Sequence, residues 1–293
     1  MTITIQNDNL VVVIDSYGAQ IMELCSSRGR QYLWDGDEKY WADRSPVLFP
    51  FVGRLTEKSY TLDGKVYGMD IHGFASKSEF AIDRQTSDSV TLKLSDDDRT
   101  YKQYPRHFEL LITYRLAGNT LETSYRVLNR GEEDMHFGIG GHPGFRVPFS
   151  EGTDFEDYYL RFDSVSTPDR VGFSPACFLN GEDRPYPLTD GRIIPLRHSL
   201  FDEDAIVLKN MAPSVSLCSD KADASVTVSY PQMPYLGLWH WPKTDAPYIC
   251  IEPWTSLPAR QDVIEDFACK SDMLHLPPGE IYENTWFITI NEV

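Results

Sequence analysis

Short runs of β-branched and aromatic residues, separated by turn-forming residues, most constrain what this chain can fold into. Residues 2–6 and 10–14 are two such runs, and the Asn-Asp-Asn between them has a turn composition. Between residues 120 and 128, apolar side chains alternate with mostly polar ones, which is typical of a strand with one buried face. The 19 prolines and 19 glycines are spread along the chain, which favours many short strands and loops.

Other segments extend this pattern, whereas helix signals are scarce. The Asp63-Gly64 step predicts a hairpin over residues 60–67, because this dipeptide tolerates the positive φ angles of a two-residue turn. Residues 259–267 are predicted to form one or two helical turns and residues 38–43 a single one. The acidic run at 96–98 is expected to be a loop between strands. Further strands are predicted at residues 90–94, 108–116, 206–208, 225–230, 248–251 and 286–290.

These segments predict an all-β protein with few short helices. We expect a single large antiparallel β-sandwich that forms one domain over residues 1–293, and two smaller sandwiches are the alternative. The proline-rich and charged stretch at about 164–204 is expected to form large loops over one face of the sandwich.

Composition argues against several classes of function. A net charge of −17 repels nucleic acid and anionic membrane surfaces, so neither is an expected partner. No apolar stretch approaches the roughly 18 to 20 residues of a membrane-spanning helix. The N-terminus reads as a first strand rather than a secretory leader. The five cysteines are odd in number and dispersed, which argues against a disulfide framework and predicts a reducing, cytoplasmic location.

Two titratable residues stand in apolar, turn-bounded settings. His142 lies within a Gly-Gly-His-Pro-Gly-Phe turn, and Glu252 ends a β-branched apolar run and is followed by a proline. Free glutamate and histidine have pKa values of about 4.3 and 6.5. Near neutral pH, therefore, one of them can remove a proton while the other delivers one. Together they predict a proton-transfer site.

Two further segments place a polar side chain beside tight backbone or aromatic neighbours. One is the Phe-Pro-Phe-Val-Gly-Arg segment that ends at Arg54, and the other is Asp-Ile-His-Gly-Phe around His72. Each segment alone has an ordinary explanation, such as a surface ion pair or a turn. The occurrence of all four segments in a chain with only seven histidines favours one shared site.

In their order and spacing these segments resemble the aldose 1-epimerases, or galactose mutarotases, and within them the LacX-like branch. The resemblance covers essentially the whole chain and includes the Leu-Phe-Asp-Glu-Asp-Ala stretch at 200–205 and a late Leu-Pro-Pro-Gly-Glu stretch. It implies the galactose mutarotase-like supersandwich, a single large antiparallel β-sandwich. It also implies interconversion of the α and β anomers of a free aldose, with no metal and no organic cofactor.

The resemblance further implies a role for each site residue. Glu252 would be the general base that takes the proton of the C1 hydroxyl, and His142 the general acid that protonates the ring oxygen. His72 and Arg54 would bind sugar hydroxyls and the region of the ring oxygen. The catalytic imidazole and carboxylate are expected to face each other across a pocket as wide as a pyranose. The expected partner is a small sugar, and the protein is expected to be a monomer or a homodimer.

Two positions leave this assignment open or depart from the family pattern. The sugar-binding aspartate of the family matches either Asp202 or Asp204, and Asp204 is preferred because it directly precedes the apolar run 205–208. Gly144 stands where larger members often have tyrosine, which is expected to widen or reshape the sugar pocket. The glycines around His142 are expected to let a sugar ring approach the backbone closely.

Aromatic residues offer a further sugar contact. Trp239, His240 and Trp241 form a cluster suited to stacking on the C–H face of a sugar, and Trp239 is the predicted contact. Core packing at a strand end is the alternative for this cluster. His136 lies six residues before His142 and is expected to serve packing rather than chemistry.

Three other functions remain as alternatives. A carbohydrate-binding module or sugar sensor would need aromatic and hydrogen-bonding side chains but no acid and base. An epimerase of a hexose phosphate would need several cations to converge on one dianion, with Arg44, Arg54, Arg146 and Arg184 available. A cupin-type metal enzyme would use His136, His142 and His240, although their spacing contains no tight ligand pair.

Overall fold

The computed structural model of the protein describes residues 1–292. Its strands, in chain order, are β1 (Thr2–Gln6), β2 (Leu10–Asp15), β3 (Gln20–Ser26), β4 (Val47–Leu48), β5 (Ser59–Leu62), β6 (Lys65–Gly68), β7 (Ala81–Gln85), β8 (Ser89–Ser95), β9 (Phe108–Ala117), β10 (Thr120–Asn129), β11 (Met135–Phe137), β12 (Gly140–Gly141), β13 (Gly144–Arg146), β14 (Tyr159–Phe162), β15 (Asp169–Arg170), β16 (Arg184–Pro185), β17 (Ile193–Pro195), β18 (Ile206–Lys209), β19 (Ser214–Cys218), β20 (Ala224–Ser229), β21 (Tyr235–Trp239), β22 (Tyr248–Trp254), β23 (Glu265–Asp266), β24 (Leu274–Leu276) and β25 (Ile281–Glu292). The helical elements are α1 (Asp98–Gln103) and 3₁₀ turns at Thr56–Lys58, Ala75–Lys77, Phe155–Asp157 and His198–Phe201.

Two large sheets dominate this arrangement. The first has nine strands in the order β17-β14-β19-β20-β25-β10-β9-β8-β7. The second has eight strands, with β16-β15-β18-β21-β22-β12-β4 in order and β13 also paired to β22. Smaller sheets are β1-β2-β3, β11-β24 and β23-β5-β6. Named strands pair antiparallel, apart from β23 beside β5. The predicted antiparallel all-β architecture is confirmed.

The two large sheets pack face to face over a shared core. Val226 and Ile288 of the nine-stranded sheet belong to the same buried cluster as Leu238 and Ile251 of the eight-stranded sheet. Alternation of buried and more exposed positions along β10 matches the sequence pattern that predicted this strand. The core cluster takes residues from both the first and the last strand. This continuity supports one domain, which stays a prediction.

The predicted hairpin at residues 60–67 is confirmed. Strands β5 and β6 pair across the Asp63-Gly64 step, with Leu62 opposite Lys65. Asp63 and Gly64 have φ angles of 51° and 71°, the left-handed backbone that such two-residue turns require. Local turn chemistry therefore sufficed to predict this element.

The prediction of helical turns at residues 259–267 is wrong. The backbone N–H of Ala259 donates to the carbonyl of Arg54 rather than within a helix. The N–H and the guanidinium of Arg260 both donate to the carboxylate of Glu265, which closes a turn. Asp262 in that turn has a φ of 60°. Tertiary and side-chain hydrogen bonds have replaced the helix ladder here.

The prediction of a loop at residues 96–98 is confirmed for Asp96 and Asp97, whereas Asp98 begins α1. Asp97 caps this helix, and its carboxylate accepts the N–H of Thr100 at 2.7 Å. The Thr100 hydroxyl in turn accepts the N–H of Asp97. This capping box is a helix start signal that could have been read from the sequence.

The structure adds two findings on the wider character of the chain. Within residues 1–292, no helix has the length and apolarity needed to cross a membrane. All five cysteines carry free thiols, which confirms that they form no disulfide framework.

Candidate active site

The antiparallel register of the eight-stranded sheet brings His142 and Glu252 together. Gly140 pairs with Trp254, and Gly144 pairs with Cys250. Between these two pairs the same register places His142 opposite Glu252. Nε2 of His142 lies 3.1 Å from Oε2 of Glu252. The two residues, 110 positions apart in sequence, thus form a cross-strand pair.

Strand β22 is buried on both faces, and the pair lies on the face away from the shared core. Ile249 and Ile251 point into the main core cluster, whereas Cys250 belongs to a separate buried cluster with Trp34 and Tyr248. Successive side chains of a strand alternate between faces, so Glu252 points to the same side as Cys250. The position of the site follows from this alternation.

An open cavity of about 530 Å³ lies over this face of the sheet. Its wall includes every residue predicted for the site, namely Arg54, His72, His142, Asp204, Trp239 and Glu252. The expectation that the catalytic pair would face each other across the width of a pyranose is wrong, because the two side chains touch. They stand side by side on one wall. This arrangement suits proton exchange with two substrate atoms that lie close together. The ring oxygen and the C1 hydroxyl oxygen of a pyranose are such atoms, because both are bonded to C1.

Burial controls the protonation of the pair. Glu252 is 1% exposed and His142 is 8% exposed. Burial raises the pKa of Glu252 well above its ordinary value, and the negative charge of Asp204 adds to this effect. Burial also lowers the pKa of His142 well below its ordinary value, with a further contribution from nearby His72. Both groups are therefore driven toward their neutral forms.

The backbone of a tight turn orients His72. This residue has a φ of 63°, and its Nδ1 accepts the N–H of Gly53 at 3.1 Å. Because Nδ1 is an acceptor, neutral His72 carries its ring proton on Nε2. Burial, together with the charges of Arg54 and Lys77, lowers the pKa of His72 to about 4. His72 is thus a neutral hydrogen-bond donor, with its ring centroid 5.6 Å from that of His142.

Asp204 adds a carboxylate to the cavity wall. Its Oδ2 lies 4.0 Å from Nη2 of Arg54 and accepts a hydrogen bond from the Cys177 thiol at 3.0 Å. Asp202, the alternative to Asp204, falls in the turn after Phe201 and is absent from the described cavity wall. Cys177 is a cavity residue that was not predicted, since nothing in its local sequence marks it as part of the site.

The aromatic cluster divides between the cavity and the core. Trp239 and Trp241 line the cavity. His240 points the other way, where it is fully buried and packs against Phe201 at a ring distance of 4.5 Å. Trp41 also lines the cavity, and its ring lies 4.9 Å from that of His142. This residue was not predicted from the sequence.

The expectation that the glycines around His142 let a sugar ring approach the backbone stays a prediction, and Gly141 and Gly144 have aromatic neighbours. A Cβ atom on Gly141 would lie 2.7 Å from the Trp286 ring, on the core side of the sheet. A Cβ atom on Gly144 would meet the Trp41 ring at 3.0 Å. These glycines accommodate aromatic packing. Gly144 leaves room for the Trp41 ring, and its effect on the pocket relative to larger family members stays a prediction.

The sequence profile of the aldose 1-epimerases matches residues 1–285. The chain belongs to the aldose 1-epimerase family. Protein LacX of Lactococcus lactis subsp. lactis, in its chromosomal form, is 31% identical over an alignment of 301 positions that covers 99% of each chain. The motifs around the site residues predict the same family, and this prediction is confirmed.

Solved structures of this epimerase family share the fold. A galactose mutarotase related enzyme from Lactobacillus acidophilus superposes with a TM-score of 0.95 at 35% identity, covering 100% of this chain and 98% of the other. A galactose mutarotase-like protein from Lactobacillus casei ATCC 334 has a TM-score of 0.94 at 30% identity, covering 99% of this chain and 100% of the other. The predicted galactose mutarotase-like sandwich is thereby confirmed.

Within this epimerase fold, the histidines of the alternative cupin-type site lie apart. His136 stacks on His275 with a ring distance of 5.0 Å, as expected of a packing residue. His240 lies in the aromatic core beside His198. Among residues 1–292, the group of three ligand-type side chains that comes close together is a different one, His142, Cys250 and Glu252.

The arginines needed for a phosphate site do not converge either. Arg54 lines the cavity. Arg44 donates to the carbonyl of Met22, and Arg146 lies 3.7 Å from the carboxylate of Asp35. Arg184 is exposed on the edge strand β16. Of the four candidates, one reaches the site.

Proposed function

We propose that the protein interconverts the α and β anomers of a free aldose by general acid and base catalysis. The observation that carries this proposal is the contact of His142 with Glu252 on one wall of an open cavity. Membership of the aldose 1-epimerase family supports it. A binding module would need no buried imidazole beside a buried carboxylate.

The proposed reaction needs one base and one acid next to each other. Glu252 accepts the proton of the C1 hydroxyl, and the electron pair of that O–H bond forms the C1 carbonyl. The bond between C1 and the ring oxygen breaks, and the ring oxygen takes a proton from His142. Rotation about the C1–C2 bond presents the other carbonyl face. The same steps in reverse then close the ring as the other anomer.

The protonation state of the pair supports these roles. Because burial raises the pKa of Glu252 and lowers that of His142, the pair binds one proton in total around neutral pH. Transfer of that proton across 3.1 Å turns the neutral pair into the ion pair in which Glu252 is the base and His142 the acid. General acid and general base catalysis typically contribute about 10²–10⁴-fold each, which is sufficient for a labile hemiacetal.

Other residues of the cavity wall would hold the sugar. Arg54 and His72 present N–H donors, and Asp204 presents a carboxylate acceptor. Trp239 offers an aromatic face next to His142, with ring centroids 5.7 Å apart. Sugars combine hydroxyl groups with apolar C–H faces, so a wall of this composition suits them.

The charges on the cavity wall favour a neutral sugar over a hexose phosphate. Its cations are Arg54 and Lys77, and Lys77 already lies 3.6 Å from the carboxylate of Asp70. Asp43, Glu203 and Asp204 add negative charge to the same wall. A phosphate dianion would meet these carboxylates without the several converging cations that it requires.

Polarimetry of freshly dissolved α-D-glucose and α-D-galactose, with NMR of the anomeric protons as a second readout, tests this proposal. The wild-type protein should accelerate the exchange, and Glu252→Gln should lower the catalysed rate by roughly 10²-fold or more. Glu252→Gln keeps the size of the side chain, so its circular dichroism should match that of wild type. Sugar binding without any acceleration by wild type would favour the binding module instead.

A further inference from the structure

Cys250 has no part in the proposed proton transfers, yet it lies directly beside them. It is two residues before Glu252 on the same face of β22, opposite Gly144. Its side chain is fully buried. Its sulfur, an imidazole nitrogen of His142 and a carboxylate oxygen of Glu252 all lie within 4.8 Å of one another.

These three side chains supply the donor types that bind zinc-like ions. Thiolate sulfur, imidazole nitrogen and carboxylate oxygen are all common zinc ligands, at bond lengths of about 2.0–2.3 Å in tetrahedral sites. Tetrahedral donors at these bond lengths lie roughly 3–4 Å apart. Small side-chain rotations would close the present separations to that range.

Unsatisfied polar atoms point to a ligand at the same place. Nδ1 of His142 is buried without a hydrogen-bond partner, and Oε2 of Glu252, although 3.1 Å from Nε2 of His142, accepts no hydrogen bond of good geometry. Buried polar atoms normally have hydrogen-bond partners, so these two atoms are available to bind a ligand. Glu252 and His142 border the cavity, whereas Cys250 lies behind them. An ion entering from the cavity would meet three protein ligands and keep its fourth position open toward solvent.

We propose that His142, Cys250 and Glu252 bind a thiophilic divalent cation, zinc or a close relative, that enters from the cavity. On binding, the Cys250 thiol and the His142–Glu252 pair each release one proton to solvent, each side chain donates one lone pair, and no electron is transferred. The bound ion occupies both the acid and the base, so it blocks anomer exchange. This inhibition rests on the proposed function, whereas the binding itself does not.

Titration calorimetry with zinc chloride on the full chain, after dialysis against a chelator, tests the binding. Wild type should bind one ion per chain, and Cys250→Ser should weaken zinc binding at least tenfold. Cys177→Ser is the matched control, because Cys177 also lines the cavity but lies outside the cluster. The affinity of Cys177→Ser for zinc should equal that of wild type. Unchanged affinity in Cys250→Ser, or no binding by wild type, would overturn the proposal.

Cobalt(II) provides a readout that does not depend on activity. A Co²⁺ ion bound by the Cys250 thiolate should show a sulfur-to-metal charge-transfer absorption in the near ultraviolet. This band should persist in Cys177→Ser and disappear in Cys250→Ser. If Cys250→Ser does not fold, His142→Asn serves instead, and it should weaken binding of both ions at least tenfold. Cobalt bound without this band would rule out thiolate ligation and overturn the proposal.

The inhibition has its own experiment. Zinc should slow anomer exchange by wild type in competition with sugar, and a chelator should restore the rate. Zinc bound at this cluster without slowing the exchange would overturn the inhibitory role. A chain that binds zinc through Cys250 but never accelerates anomer exchange would instead refute the proposed function and leave the metal site standing.

Discussion

The imidazole of His142 and the carboxylate of Glu252 lie directly opposite each other on hydrogen-bonded segments of one sheet. The carbonyl of the intervening Pro143 accepts the N–H of Ile251 at 3.1 Å, which locks this register. A one-residue slip would send one member of the pair into the core. The chemistry that we propose therefore depends on strand pairing as much as on the two side chains.

The shared proton of this pair predicts a bell-shaped dependence of kcat/KM on pH. As pH falls, the pair takes up a second proton and loses its base, and as pH rises, it loses its proton and with it the acid. Because burial lowers the pKa of His142, the midpoint of the acid limb should lie below pH 6.5. Rates from pH 4 to pH 10 should show both limbs in wild type and a single limb in Glu252→Gln and in His142→Asn. A flat wild-type profile would refute the assignment.

Gly237→Ala should damage the site by crowding Glu252, although neither catalytic residue is replaced. Gly237 pairs with Glu252 across β21 and β22, and a Cβ there would lie 3.2 Å from the Glu252 Cβ and 2.9 Å from the Trp254 ring. Crowding of this kind typically costs about 1–3 kcal/mol of stability. We expect kcat to fall about tenfold and the midpoint of urea unfolding to decrease. In Gly68→Ala, where the added Cβ makes only an ordinary contact at 3.8 Å, both should stay near wild type.

Cys177→Ala should weaken sugar binding more than catalysis. The Cys177 thiol holds the Asp204 carboxylate by a hydrogen bond at 3.0 Å, and such a bond contributes about 1 kcal/mol. Without it Asp204 is free to turn toward Arg54. KM should rise about fivefold while kcat changes little. Cys177→Ser retains a donor and should restore KM, and equal KM values in wild type and Cys177→Ala would contradict a positioning role.

Buried His240 should make the fold less stable in mild acid. Its pKa is lowered to about 4 by burial, against about 6.5 for an unfolded histidine. Between these values the unfolded chain binds the extra proton, so stability falls as pH falls. From pH 7 to pH 5 the loss attributable to His240 should be about 2 kcal/mol. Its neighbour His198, with Nδ1 at 3.3 Å from the His240 Nε2, has a lowered pKa as well.

Urea unfolding at the two pH values measures this effect. The free energy of unfolding should decrease between pH 7 and pH 5 in wild type and in His240→Gln. Because His240→Gln lacks the titrating imidazole, its decrease should be about 2 kcal/mol smaller. The same loss in wild type and His240→Gln would show that His240 does not titrate as its burial implies.

Much of the secondary structure and the membership of the site could be predicted from sequence. Alternation in β10 and the Asp63-Gly64 turn are local signals, because side-chain period and turn backbone depend on neighbouring residues alone. All six predicted site residues line one cavity. Four of them lie in short segments of unusual composition, Trp239 lies in an aromatic cluster, and Asp204 was predicted through the family resemblance. The helical turns predicted at 259–267 failed because Arg260 satisfies its hydrogen bonds with Glu265 instead.

Only the tertiary structure decided the contacts between segments that are distant in sequence. The tertiary structure brings His142 into contact with Glu252, whereas the sequence had predicted a separation as wide as a pyranose. It also packs Trp41 against Gly144. It also joined Cys177 to Asp204. Such contacts depend on strand register and on the path of long loops, which no short window of residues encodes. The sequence by itself thus determined six residues of the cavity wall, and the packing of distant segments added Trp41 and Cys177 and determined how these residues act on one another.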